Sequence, residues 1–334
     1  MTKQTRYFMA GSGAILAAGL CTGLVAYYGG GFQALSASTG PTELNYVPAD
    51  ASVVAYADVR SIMDSELRQR LKAVLPGEQG REEFYRETGI DIETHVDYVV
   101  AALSPAGDQP RPLVIVRGTF SPDNLQSVAR EHGGVFETYR TKQLVTSPDA
   151  NSHAIAFLEP GLVAVGSTEA VKKSIDAQMG PLATTGATGV PQSITGNDEM
   201  MNLVRDIAAT NNAWAVGRFD LIASQAQLPE QIARQIPPVK WFAAAGHING
   251  GVSALVRAEA KDDQAAENLR DVVRGFLALG RLQSQGDARI AAIANSMQLE
   301  GTGTTVQLTF AVPAEVIELV FPKRAEVPAA PAAQ

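Results

Sequence analysis

The chain has 334 residues, 46% hydrophobic and 19% charged, with 27 basic side chains against 35 acidic ones and a single cysteine. A net charge of −8 is the wrong sign for nucleic acid or anionic headgroups as partners of the body as a whole. Because Cys21 lies within an apolar run, everything after it lacks disulfides, a thiolate nucleophile and cysteine metal ligands.

That run comes first. No charged residue separates Arg6 from Glu43, and Phe8 to Tyr28 supplies 21 mostly apolar positions, enough to cross a ~30 Å hydrocarbon core as a helix. Lys3 and Arg6 immediately before it resist translocation, which keeps the N-terminus in the cytoplasm and sends the remainder outward. Tyr27, Tyr28 and Phe32 suit the far interface. The expectation is a single-pass protein of the inner membrane with its bulk in the periplasm. The alternative is a cleaved signal peptide, with small residues at Ala34, Ser36 and Ala37, which would release the same body. Gly19 and Gly23 form a G-x-x-x-G through which two spans can pack, so a homodimer is a further expectation.

Gln33 to Thr42 is small and polar and reads as a tether. SVVAYAD, Ser52 to Asp58, is a β-branched and aromatic strand stopped or capped by Asp58. Ile62, Leu67, Leu71, Val74 and Leu75 then recur at helical spacing. Asp97 to Leu103 and Leu113 to Arg117 read as a hairpin. A helix follows, with Ser121 as N-cap, Pro122 at its first position and Gly133 as its stop. Gln143 to Thr146, His153 to Leu158 and Leu162 to Val165 are strands, and Thr168 to Gln178 is a helix. Met179 to Thr195 lacks an apolar period and reads as a surface linker.

The pattern then begins again. A helix over Asp198 to Ala208 buries Met200, Leu203, Val204 and Ile207. WAVGRFD, Trp214 to Asp220, repeats SVVAYAD in length and terminal aspartate, and Leu228 to Ile236 supplies a crossover helix. Trp241 to Ile248 and Val252 to Glu259 flank Asn249 and Gly250, a strong hairpin signal. A longer helix opens at Asp262, a second strand pair covers Ser296 to Glu300 and Thr304 to Phe310, and Pro313 starts a last helix. The fold class is therefore α+β: a transmembrane helix, then two related split βαβ, ferredoxin-like units with helices on one face of each antiparallel sheet. One sheet continuous across both halves is the alternative. The segments are 1–32 (cytoplasmic stub and anchor), 33–45 (tether), 46–179 (first unit), 180–196 (linker), 197–322 (second unit) and 323–334 (disordered Pro/Ala tail).

The chemistry is sparse. His95, His132, His153 and His247 have no metal-ligand spacing, and there is no G-x-S-x-G, P-loop or H-E-x-x-H. Asp91, Glu93, His95 and Asp97 alternate, which on a strand would share one face, but spread over ~20 Å they cannot hold one ion. The expectation is no catalytic set, no cofactor and no metal. Asp58 with Asp220, and Arg117 with Arg257, recur between the halves; a split βαβ unit would put the ends of the two strands bearing each Asp and Arg on opposite sheet edges, leaving capping and solvation as their roles. Trp214 and Trp241 read as core.

A single N-terminal span, VPAD at Val47 to Asp50, TGIDIETHVDYVV at Thr88 to Val100 and NAWAVGRFD at Asn212 to Asp220 together resemble bacterial membrane-anchored envelope proteins of unknown function. The resemblance implies an exported two-lobed domain and transfers no catalytic residue. The functional expectation is a non-enzymatic, membrane-tethered envelope domain that binds another envelope protein or a ligand. The alternative is an envelope hydrolase with carboxylates such as Glu82, Glu83, Asp91 and Glu93 dispersed on loops.

Overall fold

The strands join one 12-stranded sheet whose two halves meet in the middle. The computed structural model describes residues 41–71, 88–105, 111–147, 153–180, 192–219, 237–283 and 288–320, with 82, 85 and 86 besides. Lys3, Arg6, Gly19 and Gly23 lie outside them, as do the expected crossover helix at Leu228 to Ile236 and Asp220. Among the described residues no helix is long and apolar enough to cross a membrane.

The first half runs from a 3-10 turn at Thr42–Tyr46 through β1 (Val53–Asp58), α1 (Val59–Asp64), α2 (Glu66–Leu71), α3 (Ile92–His95), β2 (Val96–Ser104) and β3 (Arg111–Gly118). It continues with α4 (Pro122–Glu131), β4 (Val135–Tyr139), β5 (Lys142–Thr146), β6 (His153–Glu159), β7 (Leu162–Ser167) and α5 (Thr168–Met179). A second 3-10 turn, Ile194–Gly196, leads into α6 (Asp198–Ala208), β8 (Ala213–Arg218), β9 (Val239–Ile248) and β10 (Gly251–Ala260). The chain ends, as described, with α7 (Asp263–Gln283), α8 (Ala288–Ser296), β11 (Gln298–Glu300), β12 (Thr305–Pro313) and α9 (Ala314–Val320).

The spatial order is β11-β12-β10-β9-β8-β1-β2-β3-β7-β6-β5-β4. The expectation of two split βαβ units is corrected here. Such a unit places its third strand between the two strands joined by the helix, so those two never pair directly. Every pairing among the described strands is antiparallel, and β1 pairs with its sequence neighbour β2 on one side. On the other side Val53–Ala57 of β1 pairs with Gly217–Ala213 of β8. That ladder fuses the halves into the continuous sheet weighed as the alternative.

Helices cover both faces, not one. Adjacent residues on a strand point to opposite faces. Val100 of β2 and Trp214 of β8 belong to the main core with Leu44, with Val171 and Ile175 of α5, and with Met200, Val204 and Ile207 of α6. Their neighbours Val99 and Ala213 lie in other clusters. Val99 packs near Val59 and Ile92, and Ala213 packs with Ile62, Leu67, Ile248, Val252 and Ala314. Ala265 and Ala266 of α7 close the far end against Ala260 and Val306. Central strands with apolar residues at successive positions are the consequence of this double cover.

Two stretches read as solvent-facing are packed. Leu44 and Ile194 are each 1% exposed, and Pro48 bridges Ser193, so the end of the tether and the end of the linker clasp each other. Asp91–Asp97 is not a strand of alternating acids. Asp91 accepts from the Glu93 N–H and caps the short helix α3.

Candidate functional site

Two surfaces stand out, one polar and one apolar. The polar one is a cavity of about 540 Å³ where the two 3-10 turns meet the C-terminal end of α5. Its wall includes Tyr46, Arg117, Glu159, Gln178, Ser193 and Thr195.

The floor is an ion cluster assembled from three elements. Arg117, near the end of β3, donates from Nε to Glu43 Oε1 at 2.8 Å and from Nη2 to Glu159 Oε2 at 3.3 Å. Tyr46 Oη donates to the other Glu159 oxygen at 2.6 Å. The Glu43 side chain is 7% exposed, so its charge depends on Arg117, whereas that of Glu159 is 41% exposed. The Tyr46 hydrogen bond holds the Glu159 carboxyl below the usual range, and Arg117 adds to this. Burial pushes the Tyr46 hydroxyl up, with Glu159 reinforcing the shift. Burial works against the Arg117 charge, but Glu43 and Glu159 outweigh it and its pKa is raised.

This electrostatic state bears on chemistry. A general acid needs a carboxyl pushed up towards neutrality, and Glu159 is pushed the other way. Arg117 is shared between two carboxylates rather than presented to an anion. The cluster pins the chain entry at Thr42–Tyr46 to the end of β3 and to β6.

The other residues singled out in the sequence are dispersed. Asp58 caps α1 by accepting from the Ser61 N–H at 2.9 Å. Contrary to the topological expectation, Asp58 and Arg117 lie at the same edge, because β1 and β3 both run antiparallel to β2 and Asp58, Tyr98 and Arg117 share one row. They nonetheless have separate partners. Arg257 pairs with Asp206 and Glu259. Of the carboxylates offered for a dispersed hydrolase, Asp91 caps α3, Glu93 is bonded to Arg68 at 2.5 Å, Glu82 is exposed, and Glu83 lies outside the described residues. Asp97 pairs with Arg60. Among the described residues no three His, Cys, Asp or Glu side chains gather as a metal site. Trp214 and Trp241 are core residues, 1% and 9% exposed, and Tyr56 stacks between Trp214 at 5.6 Å and Tyr98 at 6.0 Å.

The apolar surface is on α7. Its base residues Ala265, Ala266 and Leu269 pack against the sheet. Farther along, Val273 and Leu277 stay half-buried where α8 packs on the helix, but the side next to them is uncovered: Val272 is 37%, Phe276 70%, Leu279 55% and Leu282 63% exposed. The helix expected from Asp262 runs through Leu269, Val272, Val273 and Phe276 at apolar period. Periodicity alone does not separate the side that α8 covers, at Val273 and Leu277, from the side left exposed at Phe276 and Leu279.

Neither a protein-family profile nor a curated protein sequence matches the chain. Among solved structures, crystal form III of TP0453 is similar at 11% identity and a TM-score of 0.50, covering 85% of this chain and 98% of that one. Crystal form I of TP0453 gives 10% identity and a TM-score of 0.46, over 84% of this chain and 96% of that one. The first of these is a likeness of fold.

Proposed function

We propose that this chain is a non-enzymatic domain of the bacterial cell envelope, held in the inner membrane by its N-terminal run with its bulk on the periplasmic side, and that its work is binding. The observation that carries this reading is the exposed stripe Phe276, Leu279 and Leu282. A globular body leaves contiguous large apolar side chains uncovered where something else covers them. The cavity supports the same reading from the other side, since its carboxylates are committed to Arg117 and Tyr46. The uncharged run from Tyr7 to Thr42 behind Lys3 and Arg6 supplies the anchor, and Gly19 with Gly23 supplies a face for a homodimer of spans.

The test uses the full-length chain in its native membrane. A photo-crosslinking side chain in place of Leu279 is expected to form discrete adducts that the same group in place of Arg274, on the far side of the helix, does not. Carbonate extraction should leave the protein in the membrane pellet, with the body open to protease from the periplasmic side. Recovery of the intact chain among cytosolic soluble proteins, or indistinguishable labelling from the two positions, would overturn the reading.

A further inference from the structure

We infer that the uncovered end of α7 rests on the lipid bilayer, with Phe276, Leu279 and Leu282 in the headgroup region of the membrane that the N-terminal run spans. The inference rests on the anchored reading above and names what covers the surface described there.

Three observations carry it. The first is shape: from Val272 to Leu282 the stripe runs for about 15 Å along one side of a helix that is held on its other sides by the sheet and by α8, so a fixed amphipathic edge faces outward. An interfacial helix buries such a face about 5–10 Å deep.

The second is charge. The acids of α7, Asp263, Glu267 and Asp271, all precede the exposed stripe. From Val272 to Ser296 the sequence has Arg274, paired back to Glu267 and Asp271, with Arg281 and Arg289 against Asp287 alone, within a chain of net charge −8. An acidic body near an anionic surface turns its acid-poor corner towards it.

The third is reach. The described body begins at Pro41, and residues 33–40 separate it from the apolar run, a span of about 27 Å when extended. Glu43 is held at β3, and β12 beside α7 lies six strand spacings away, about 29 Å. A tether of that length is long enough to let the body turn α7 towards the same bilayer. A second copy fits less well. The exposed parts of four side chains amount to roughly half of the ~800 Å² that each partner buries in a stable dimer.

The experiment reconstitutes the full-length chain, with Cys21→Ser and Leu279→Cys, into phosphatidylethanolamine–phosphatidylglycerol vesicles, with an environment-sensitive fluorophore on the new thiol. A matched protein carries the fluorophore on Arg274→Cys, on the far side of the helix, and unchanged far-UV circular dichroism verifies both folds. Blue-shifted emission, with quenching by shallow spin-labelled lipid at least two-fold stronger at position 279 than at 274, is expected. If the protein floats with the vesicles but the two probes are quenched alike, the bilayer contact is wrong while the anchor stands. A blue shift that grows with protein density and ignores the lipid quencher would assign the stripe to a second copy or a protein partner instead. A chain that fails to float removes the anchored reading, and the contact with it.

Discussion

At the scale of single residues, the Arg117 cluster shows how two carboxylates that look alike in sequence come to differ. Tyr46→Phe deletes the donor to Glu159. A hydrogen bond to a charged group contributes ~1.5–3 kcal/mol, and exposure of the Glu159 carboxylate reduces this to about 1 kcal/mol. The pH dependence has a definite sign. Glu159 is held below its usual 4.5, so its contribution is full above that value and is lost as pH falls through the lower folded pKa. Tyr46 is pushed above its usual 10.0, so its contribution is full below 10.0 and fades as pH rises beyond it. Urea unfolding of the two proteins should show a constant gap between roughly pH 5 and 9 that narrows at both ends. Arg117→Met is the sharper change, because it strands Glu43 in the interior. About 3 kcal/mol is expected, and the double variant with Glu43→Leu should recover at least half, since removing both charges leaves no unpaired one. Glu43 gave no signal in the sequence. A glutamate in a short polar stretch reads as tether, and only a guanidinium 74 positions away explains its burial.

At the scale of elements, local chemistry determined what was legible. α6 was expected over Asp198–Ala208 because Met200, Leu203, Val204 and Ile207 keep helical period, and Asn197 caps it through its side chain. α4 was marked by Ser121 and Pro122, and β9 and β10 by Asn249-Gly250. By contrast β4 was missed because its turn to β5 uses Arg140 and Thr141, with φ of 45° and 74°, where glycine or asparagine is the usual signal. Arg140 is held there by the Gly180 carbonyl at 2.7 Å and by Asp176. Thr141 is β-branched and in left-handed backbone, so Thr141→Gly is expected to stabilise the protein by ~0.5–1 kcal/mol, read as a higher urea midpoint at unchanged slope. Arg140→Gly should gain nothing comparable, because it gives up the two anchoring contacts along with the strain.

At the scale of the whole molecule, the seam between β1 and β8 decides how the chain unfolds. Nothing local announces it: the paired runs Val53–Ala57 and Ala213–Gly217 are about 160 positions apart, and the repeat they share suggested two bodies, not one. The continuous apolar character of SVVAYAD was the trace left in the sequence, because a strand buried on both faces needs it, whereas a half-exposed strand alternates. Main-core residues from both halves, Val54 and Val100 with Trp214, Val216 and Met200, form one cluster across the seam, so neither half keeps its core when the other opens. One cooperative transition is therefore expected. Far-UV circular dichroism reports the whole sheet, fluorescence reports β8 at the seam through Trp214 and β9 beside it through Trp241, and the two curves should coincide. Ala215→Pro removes a ladder hydrogen bond opposite Ala55 and Ala244 in the middle of the sheet, at a cost of roughly 3 kcal/mol or more. It should lower both midpoints together. Retention of about half the dichroism after the fluorescence change is complete would mean that the two halves fold as separate bodies joined edge to edge.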